Sequence, residues 1–356
     1  MDFITTVAST AGSTAASTAA STAVLDGGGP SATTVKLDSA LCNQGKKQDF
    51  LYVGRGFVEG KGECEIGAVF DGHSEVSGSK RHFIEYVRRA PLDTLLVQAR
   101  PINALVSYFK QFEPNYDFIT GSTCTVVRLF PEIRLIEWWS VGDSSVCIFK
   151  QGVLLASSPH HTPHNVDELR RLNDQFGVHN CHPTNWQKPE VINSTDITLG
   201  WGYYMSFPPK DPKKPGVYLR MALTQSLGHH DHTGYTRDEF GELGEHGSIE
   251  YEACDDIKVV LCSDGVTDVL QQSPRLRLLS EPLDQVPEDW QWLGAEGSTA
   301  TVIMQEAVRR WKQEWNYLLD GYKPVIHQFE DGEGDDVSVV TMFVKGDPSV
   351  PSRFFG

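Results

Sequence analysis

Glu65-Ile66-Gly67-Ala68-Val69-Phe70-Asp71-Gly72-His73 is the stretch on which the reading of this chain turns. Residues 65–70 have strand character, and Asp71-Gly72 closes the run with a turn-forming pair. Such pairs are common and mean little singly. Asp71 gains weight because Asp49, Asp143, Asp264 and Asp335 also stand at the start or end of a predicted strand. Carboxylates converging from several strand ends repel one another and lose hydration unless cations neutralise them, so the pattern implies bound metal. Ligands that offer only oxygen favour Mg²⁺ or Mn²⁺ over zinc.

Around that stretch the pattern predicts strands over 49–58, 123–130, 133–141, 145–150 and 153–156, with Gly142-Asp143 in a hairpin connection. Helical spacing covers 79–90, 92–112 with an interruption at Pro101, and 166–176. A strand over 257–262, a long helix over 299–319 and a final strand over 337–344 follow. Strand runs punctuated by helix pairs point to α+β layers rather than a parallel α/β sheet. Residues 1–35 repeat Ala-Ser-Thr units and read as a flexible tail. Residues 36–347 read as one catalytic domain and 348–356 as a C-terminal tail. Within the domain, 180–256 is poorly periodic and rich in Pro, Gly and His, the pattern of surface loops or an inserted subregion.

With 356 residues and 40% hydrophobic content the chain can bury a substantial core. Lys and Arg total 31 against 47 Asp and Glu, a formal net charge of -16, so a nucleic-acid partner is not expected. Seven cysteines without a Cys-x-x-Cys pair read as reduced thiols of a cytosolic or nuclear protein. No apolar run is long enough for a bilayer, and the N-terminal stretch lacks the basic and apolar regions of a secretory signal. The first lysine is Lys36, which also argues against a transit peptide. His160, His161 and His164, like His229, His230 and His232, lack the spacing of known zinc-hydrolase motifs and read as solvated loop histidines.

Ordered along the chain are Val69-Phe70-Asp71-Gly72-His73, Gly121-Ser122-Thr123, Val141-Gly142-Asp143-Ser144, Cys262-Ser263-Asp264-Gly265-Val266-Thr267-Asp268-Val269 and Asp335-Asp336-Val337-Ser338-Val339. Together they resemble the motifs of the metal-dependent protein phosphatase 2C family. The resemblance runs from about Cys42 to Val344. It implies a four-layer α-β-β-α sandwich, two antiparallel sheets flanked by helices. It also implies hydrolysis of phosphoserine and phosphothreonine in a phosphoprotein substrate, with two core Mg²⁺ or Mn²⁺ ions and a weaker third.

By that resemblance Asp71 bridges the two ions, the Gly72 carbonyl approaches one of them, and Asp264 and Asp335 complete the first. Asp49 serves the second ion, and Asp143 and Asp268 join Asp264 at the third. His73, two residues after Asp71, is the candidate general acid for the leaving alkoxide.

The sequence also departs from the family. Its phosphate-gripping arginine is absent from Asn43-Gln44-Gly45-Lys46-Lys47-Gln48-Asp49, where Lys46 or Lys47 offers a point charge instead. Gln48 replaces an acidic residue found in some members. Leu223-Thr224-Gln225-Ser226-Leu227-Gly228-His229 carries Gln225 and His229 where an arginine and an aspartate are usual. The missing arginine motivates an alternative reading, a catalytically weak relative that binds phosphoproteins as a scaffold.

Overall fold

Residues 66–70 are apolar without interruption because both faces of this end of the strand over 62–70 are covered. Ile66, Ala68 and Phe70 pack toward helices and Val69 packs toward a second sheet, all with no exposed surface. The structure is a computed structural model. It describes residues 35–44, 46–73, 83–112, 120–162, 165, 167–168, 170–171, 190–194, 202–207, 219–221, 223–228, 243–270, 276–278, 290–317, 325–329 and 334–350. The expected tails over 1–35 and 348–356 lie almost wholly or partly outside these residues.

Two five-stranded antiparallel sheets form the centre. The first runs in the order β1 (Val35–Cys42), β19 (Val337–Val344), β15 (Ile257–Cys262), β8 (Ser145–Lys150), β9 (Val153–Ser157). The second runs β14 (Glu245–Glu250), β7 (Leu135–Val141), β6 (Cys124–Phe130), β3 (Gly62–Phe70), β2 (Phe50–Val58). Val127, Leu129 and Ile136 of the second sheet meet Val146, Val259, Leu261 and Met342 of the first in a dry layer between them. Each such side chain, fully buried, contributes about 1.5–3 kcal/mol.

Helices α1 (Phe83–Val87), α2 (Leu92–Leu95) and α3 (Pro101–Lys110) cover the second sheet through Phe83, Ile84, Leu105 and Phe109. On the far side, α4 (Asp264–Leu270), α5 (Trp290–Gly294) and α6 (Ala300–Trp311) cover the first through Val266, Val269, Ile303 and Ala307. This is the expected sandwich of two antiparallel sheets flanked by helices. Smaller three-stranded sheets join β4 (Gly72–His73), β5 (Gly121–Ser122) and β13 (Leu227–Gly228); β10 (Glu190–Ser194), β11 (Gly202–Phe207) and β12 (Leu219–Met221); and β16 (Leu276–Leu278), β17 (Glu314–Tyr317) and β18 (Val325–Gln328).

Two expectations need correction. Gly142-Asp143 is not a hairpin: β7 pairs with β6 and β14, and β8 with β15 and β9, so the turn carries the chain from one sheet to the other. Gly142 makes that crossing with a φ of 96°. The helix expected over 299–319 stops at Trp311, and residues 314–317 become β17. The cause is tertiary, since β17 is held between β16 and β18 and Trp315 is fully buried against the first sheet's helices. In the segment over 79–90 only Phe83–Val87 is helical among the described residues, and most of 166–176 lies outside them.

Candidate functional site

Asp71 leaves the end of β3 at the rim where the two sheets meet. Its backbone N–H donates to Thr123 Oγ1 at 3.1 Å, and Thr123 N–H returns a bond to the Asp71 carbonyl at 2.8 Å. Thr123 Oγ1 also lies 2.6 Å from Ser144 Oγ, which ties the Asp71 turn to the crossover carrying Asp143. Gly72 packs directly on the loop before β2: its N–H donates to the Gln48 carbonyl at 3.1 Å, and a Cβ there would sit 2.6 Å from that oxygen. Beside it, His73 pairs with Gly121 across β4 and β5.

From the first sheet come Asp264, at the start of α4, and Asp335, just before β19. The Asp71 and Asp264 carboxyls lie near enough to act on one another electrostatically. Asp335 Oδ2 accepts from Lys46 Nζ at 2.7 Å. Asp49, only 1% exposed, accepts Ser338 Oγ at 2.6 Å on Oδ2. The two oxygens of Asp336 accept the backbone N–H groups of Gln44 at 2.8 Å and Gln48 at 2.7 Å, clamping the loop that presents Lys46 and Asp49. Gln44 Nε2 adds a bond to the Asp335 carbonyl at 2.7 Å.

The electrostatics are those of a site short of positive charge. Burial, then Asp264, Asp49 and Asp335, push the Asp71 carboxyl well above the usual carboxylate range. Burial raises Asp49 as well, with Asp336 adding to it, and raises Asp264 with help from Asp335. Asp143 is raised by burial and then by Asp264 and Asp268. Asp268 is exposed, yet desolvation by the surrounding protein, with Asp264 and Asp335, raises its carboxyl. Burial lowers His73 to about 4, which Asp335 opposes and Lys46 reinforces.

Four buried carboxylate oxygens, Asp49 Oδ1, Asp71 Oδ2, Asp143 Oδ1 and Asp264 Oδ1, accept no hydrogen bond from any described residue. Orphaned acceptors on mutually repelling carboxylates are what hard divalent cations satisfy, so these residues fit Mg²⁺ or Mn²⁺.

The sequence-predicted residues Asp49, Asp71, Gly72, His73, Asp143, Asp264, Asp268, Asp335 and Lys46 thus surround one cleft. Lys47 is set apart. At a φ of 57° its carbonyl accepts from Arg88 Nη2 at 3.3 Å, and its exposed side chain makes no ion pair among the described residues. Sequence reasoning gave no separate role to Asp336, Ser338 and Gln44, whose partners lie nearly the whole chain away.

It also missed a second group, Glu252, Cys254 and Asp255, whose ligand atoms all lie within 4.8 Å of one another and could coordinate a divalent ion. That group sits at the opposite end of β15 from Asp264, and Lys150 Nζ already stands 2.9 Å from Asp255 Oδ2. Its signal was the run Glu252-Ala253-Cys254-Asp255-Asp256, a turn dense in possible ligands.

No family model matches the sequence. The structure of a C. elegans sex determining protein superposes with a TM-score of 0.51 at 18% identity, over 90% of this chain and 66% of that one. A serine-threonine phosphatase 2C from Toxoplasma gondii gives 0.49 at 13% identity, over 92% and 99%. In sequence, 162 residues, 43% of this chain, are 27% identical to the probable protein phosphatase 2C 76 of Arabidopsis thaliana. The chain shares the fold of that sex determining protein, and part of it is similar in sequence to a 2C-type phosphatase. It spans 38% of the length of that plant relative.

The pairing of two sheets explains the division of labour in the site, with each sheet delivering aspartates from its strand ends. The departure at Gln225 lies beside Glu168. Burial pushes the Glu168 carboxyl up, but bidentate contacts from Arg171 at 2.9 and 2.8 Å, together with Thr224, bring it below its usual range. Gln225 then needs no charge: its Nε2 donates to Glu168 at 3.1 Å and its Oε1 accepts the Gly244 N–H at 2.8 Å.

Proposed function

We propose that this chain hydrolyses phosphoserine and phosphothreonine in proteins. What carries the reading is the set of orphaned carboxylate oxygens on Asp49, Asp71, Asp143 and Asp264, converging from both sheets of a 2C-type fold. Asp71, Asp264 and Asp335 would hold a first divalent ion, Asp71 with Asp49 and the Gly72 carbonyl a second, and Asp143, Asp264 and Asp268 a weaker third. When bound, these cations supply Lewis acidity to the phosphoryl oxygens and to water at the phosphorus.

His73 supplies the proton that the basic serine or threonine alkoxide needs on leaving. At neutral pH the ring is unprotonated in this state, with burial holding it at about 4. A phosphate dianion arriving alongside raises its proton affinity. Lys46 and Lys47 sit on the loop where phosphate is captured, as point charges rather than a bidentate fork. Purified protein is expected to cleave a phosphothreonine peptide only with Mg²⁺ or Mn²⁺, and Asp71→Asn to lower that rate about 100-fold or more. Turnover in EDTA, or none with either ion, refutes the assignment.

A scaffold that binds phosphoproteins without turning them over is the second reading. Favouring it is the Lys46 ammonium on Asp335, a monovalent charge at a carboxylate the reaction requires. Phosphoprotein binding that persists without turnover at saturating Mn²⁺ selects it.

A further inference from the structure

The loop before β2 brings a fixed positive charge into a cleft otherwise built of carboxylates. Lys46 Nζ lies 2.7 Å from Asp335 Oδ2, and Asp264 and Asp71 also act on it through space. The contact is built rather than incidental. Asp336 holds the loop on both sides of Lys46 through the Gln44 and Gln48 N–H groups, and Gln44 Nε2 grips the Asp335 carbonyl. Meanwhile Asp71 Oδ2 and Asp49 Oδ1, on residues 5% and 1% exposed, remain without a donor. The ammonium therefore neutralises one carboxylate of the cluster and leaves the deeper ones unsatisfied.

We propose that Lys46 is a tethered, displaceable cation that competes with the divalent ion for Asp335. The inference rests on the proposed cation site. An Asp335 oxygen in contact with an ammonium is not free to coordinate, and an ammonium left in place would repel an incoming dication. Loading thus requires the Lys46 side chain, 47% exposed, to swing off Asp335 into solvent. The loop stays anchored by Asp336 throughout. Two consequences follow: the metal-free chain is protected from the mutual repulsion of its aspartates, and its affinity for divalent cations is set lower than the aspartates alone would give. The released ammonium stands beside the centre where a phosphate would arrive.

The test is calorimetric titration of the full chain with Mn²⁺, with melting followed in EDTA and at saturating Mn²⁺. Lys46→Met is expected to bind Mn²⁺ about three- to tenfold more tightly than the wild type, to melt lower in EDTA, and to lose that deficit once loaded. Lys47→Met, which removes the same charge from the same loop, leaves Mn²⁺ affinity within about twofold. Should Lys46→Met fail to fold without cation, Lys46→Gln, which keeps a donor to Asp335 but no charge, carries the same comparison. Equal or weaker Mn²⁺ binding by the Lys46 variants overturns the proposal and leaves the cation site standing. A melting deficit of equal size in EDTA and in Mn²⁺ also overturns it, because the lysine would then be merely structural. If neither wild type nor variant binds Mn²⁺, the cation site itself falls and this inference with it.

Discussion

Ser338 carries more of the site than its size suggests. It supplies the hydroxyl on Asp49 Oδ2 at 2.6 Å, while Asp49 Oδ1 has no donor among the described residues, and its own N–H is held by Ser263 Oγ at 3.0 Å. Ser338→Ala strips a buried carboxylate of that hydroxyl, and a hydrogen bond to a charged group lost in this way costs about 1–3 kcal/mol. Urea unfolding in EDTA is expected to show a drop of that size; an unchanged midpoint would mean the bond contributes nothing. The residues legible in the sequence were those that announce themselves locally. Asp71, Asp143 and Asp264 each lie in a Gly-flanked turn at a strand end, which a short window captures. Ser338 to Asp49 spans 289 positions and Asp336 to Gln48 spans 288, so nothing near either residue encodes its partner. The same is true of Lys46 and Asp335. The sequence offers a lysine where an arginine is usual, and only the fold shows which carboxylate receives it.

At the scale of elements, strand existence was readable wherever burial on both faces leaves a mostly apolar run, as in residues 66–70 of β3, 259–262 of β15 and most of β19. The end of α6 was not readable. No glycine or proline stands among residues 312–320, and the helix stops because β17 is needed to close a small sheet and to bury Trp315. A second element junction yields a pH prediction. Lys258 of β15 is 4% exposed and donates to the carbonyls of Ala295 at 2.6 Å and Ser298 at 2.7 Å, pinning the connection between α5 and α6 onto the first sheet. Burial lowers it from 10.5 to about 8. Between those values the unfolded chain holds a proton that the folded chain has released, so stability rises with pH across the window. The stability of the wild type relative to Lys258→Met is expected to grow by up to about 3 kcal/mol from below pH 8 to above pH 10.5. Urea titrations below, within and above the window measure it. A difference that stays flat would place the lysine in its charged form throughout, held so by the two carbonyls.

At the scale of the whole molecule, the cleft lies between two separately paired sheets. Asp49 and Asp71 come from strands of one, and Asp264 and Asp335 flank strands of the other. The dry layer of Val69, Val127, Val259, Leu261 and Met342 joins the sheets, and Asp71, Asp49, Asp264 and Asp335 meet as like charges. A cation held by Asp71 and Asp264 together is therefore a cross-link between sheets as well as a reagent, and it binds the folded chain alone. At about a hundred times its dissociation constant such a ligand adds about 2.7 kcal/mol, which for a domain of this size raises the melting temperature by about 4 °C. Asp71→Asn and Asp264→Asn should each erase most of that rise, although they alter opposite sheets. Both should also melt above the wild type in EDTA, because each removes one member of a repelling buried set. That crossed pattern, stabilising without cation and abolishing the gain with it, separates a shared inter-sheet site from one confined to a single sheet. In the latter case only one of the two variants would lose the rise. Coincident melting of the wild type in EDTA and in Mn²⁺ would remove the cross-link altogether.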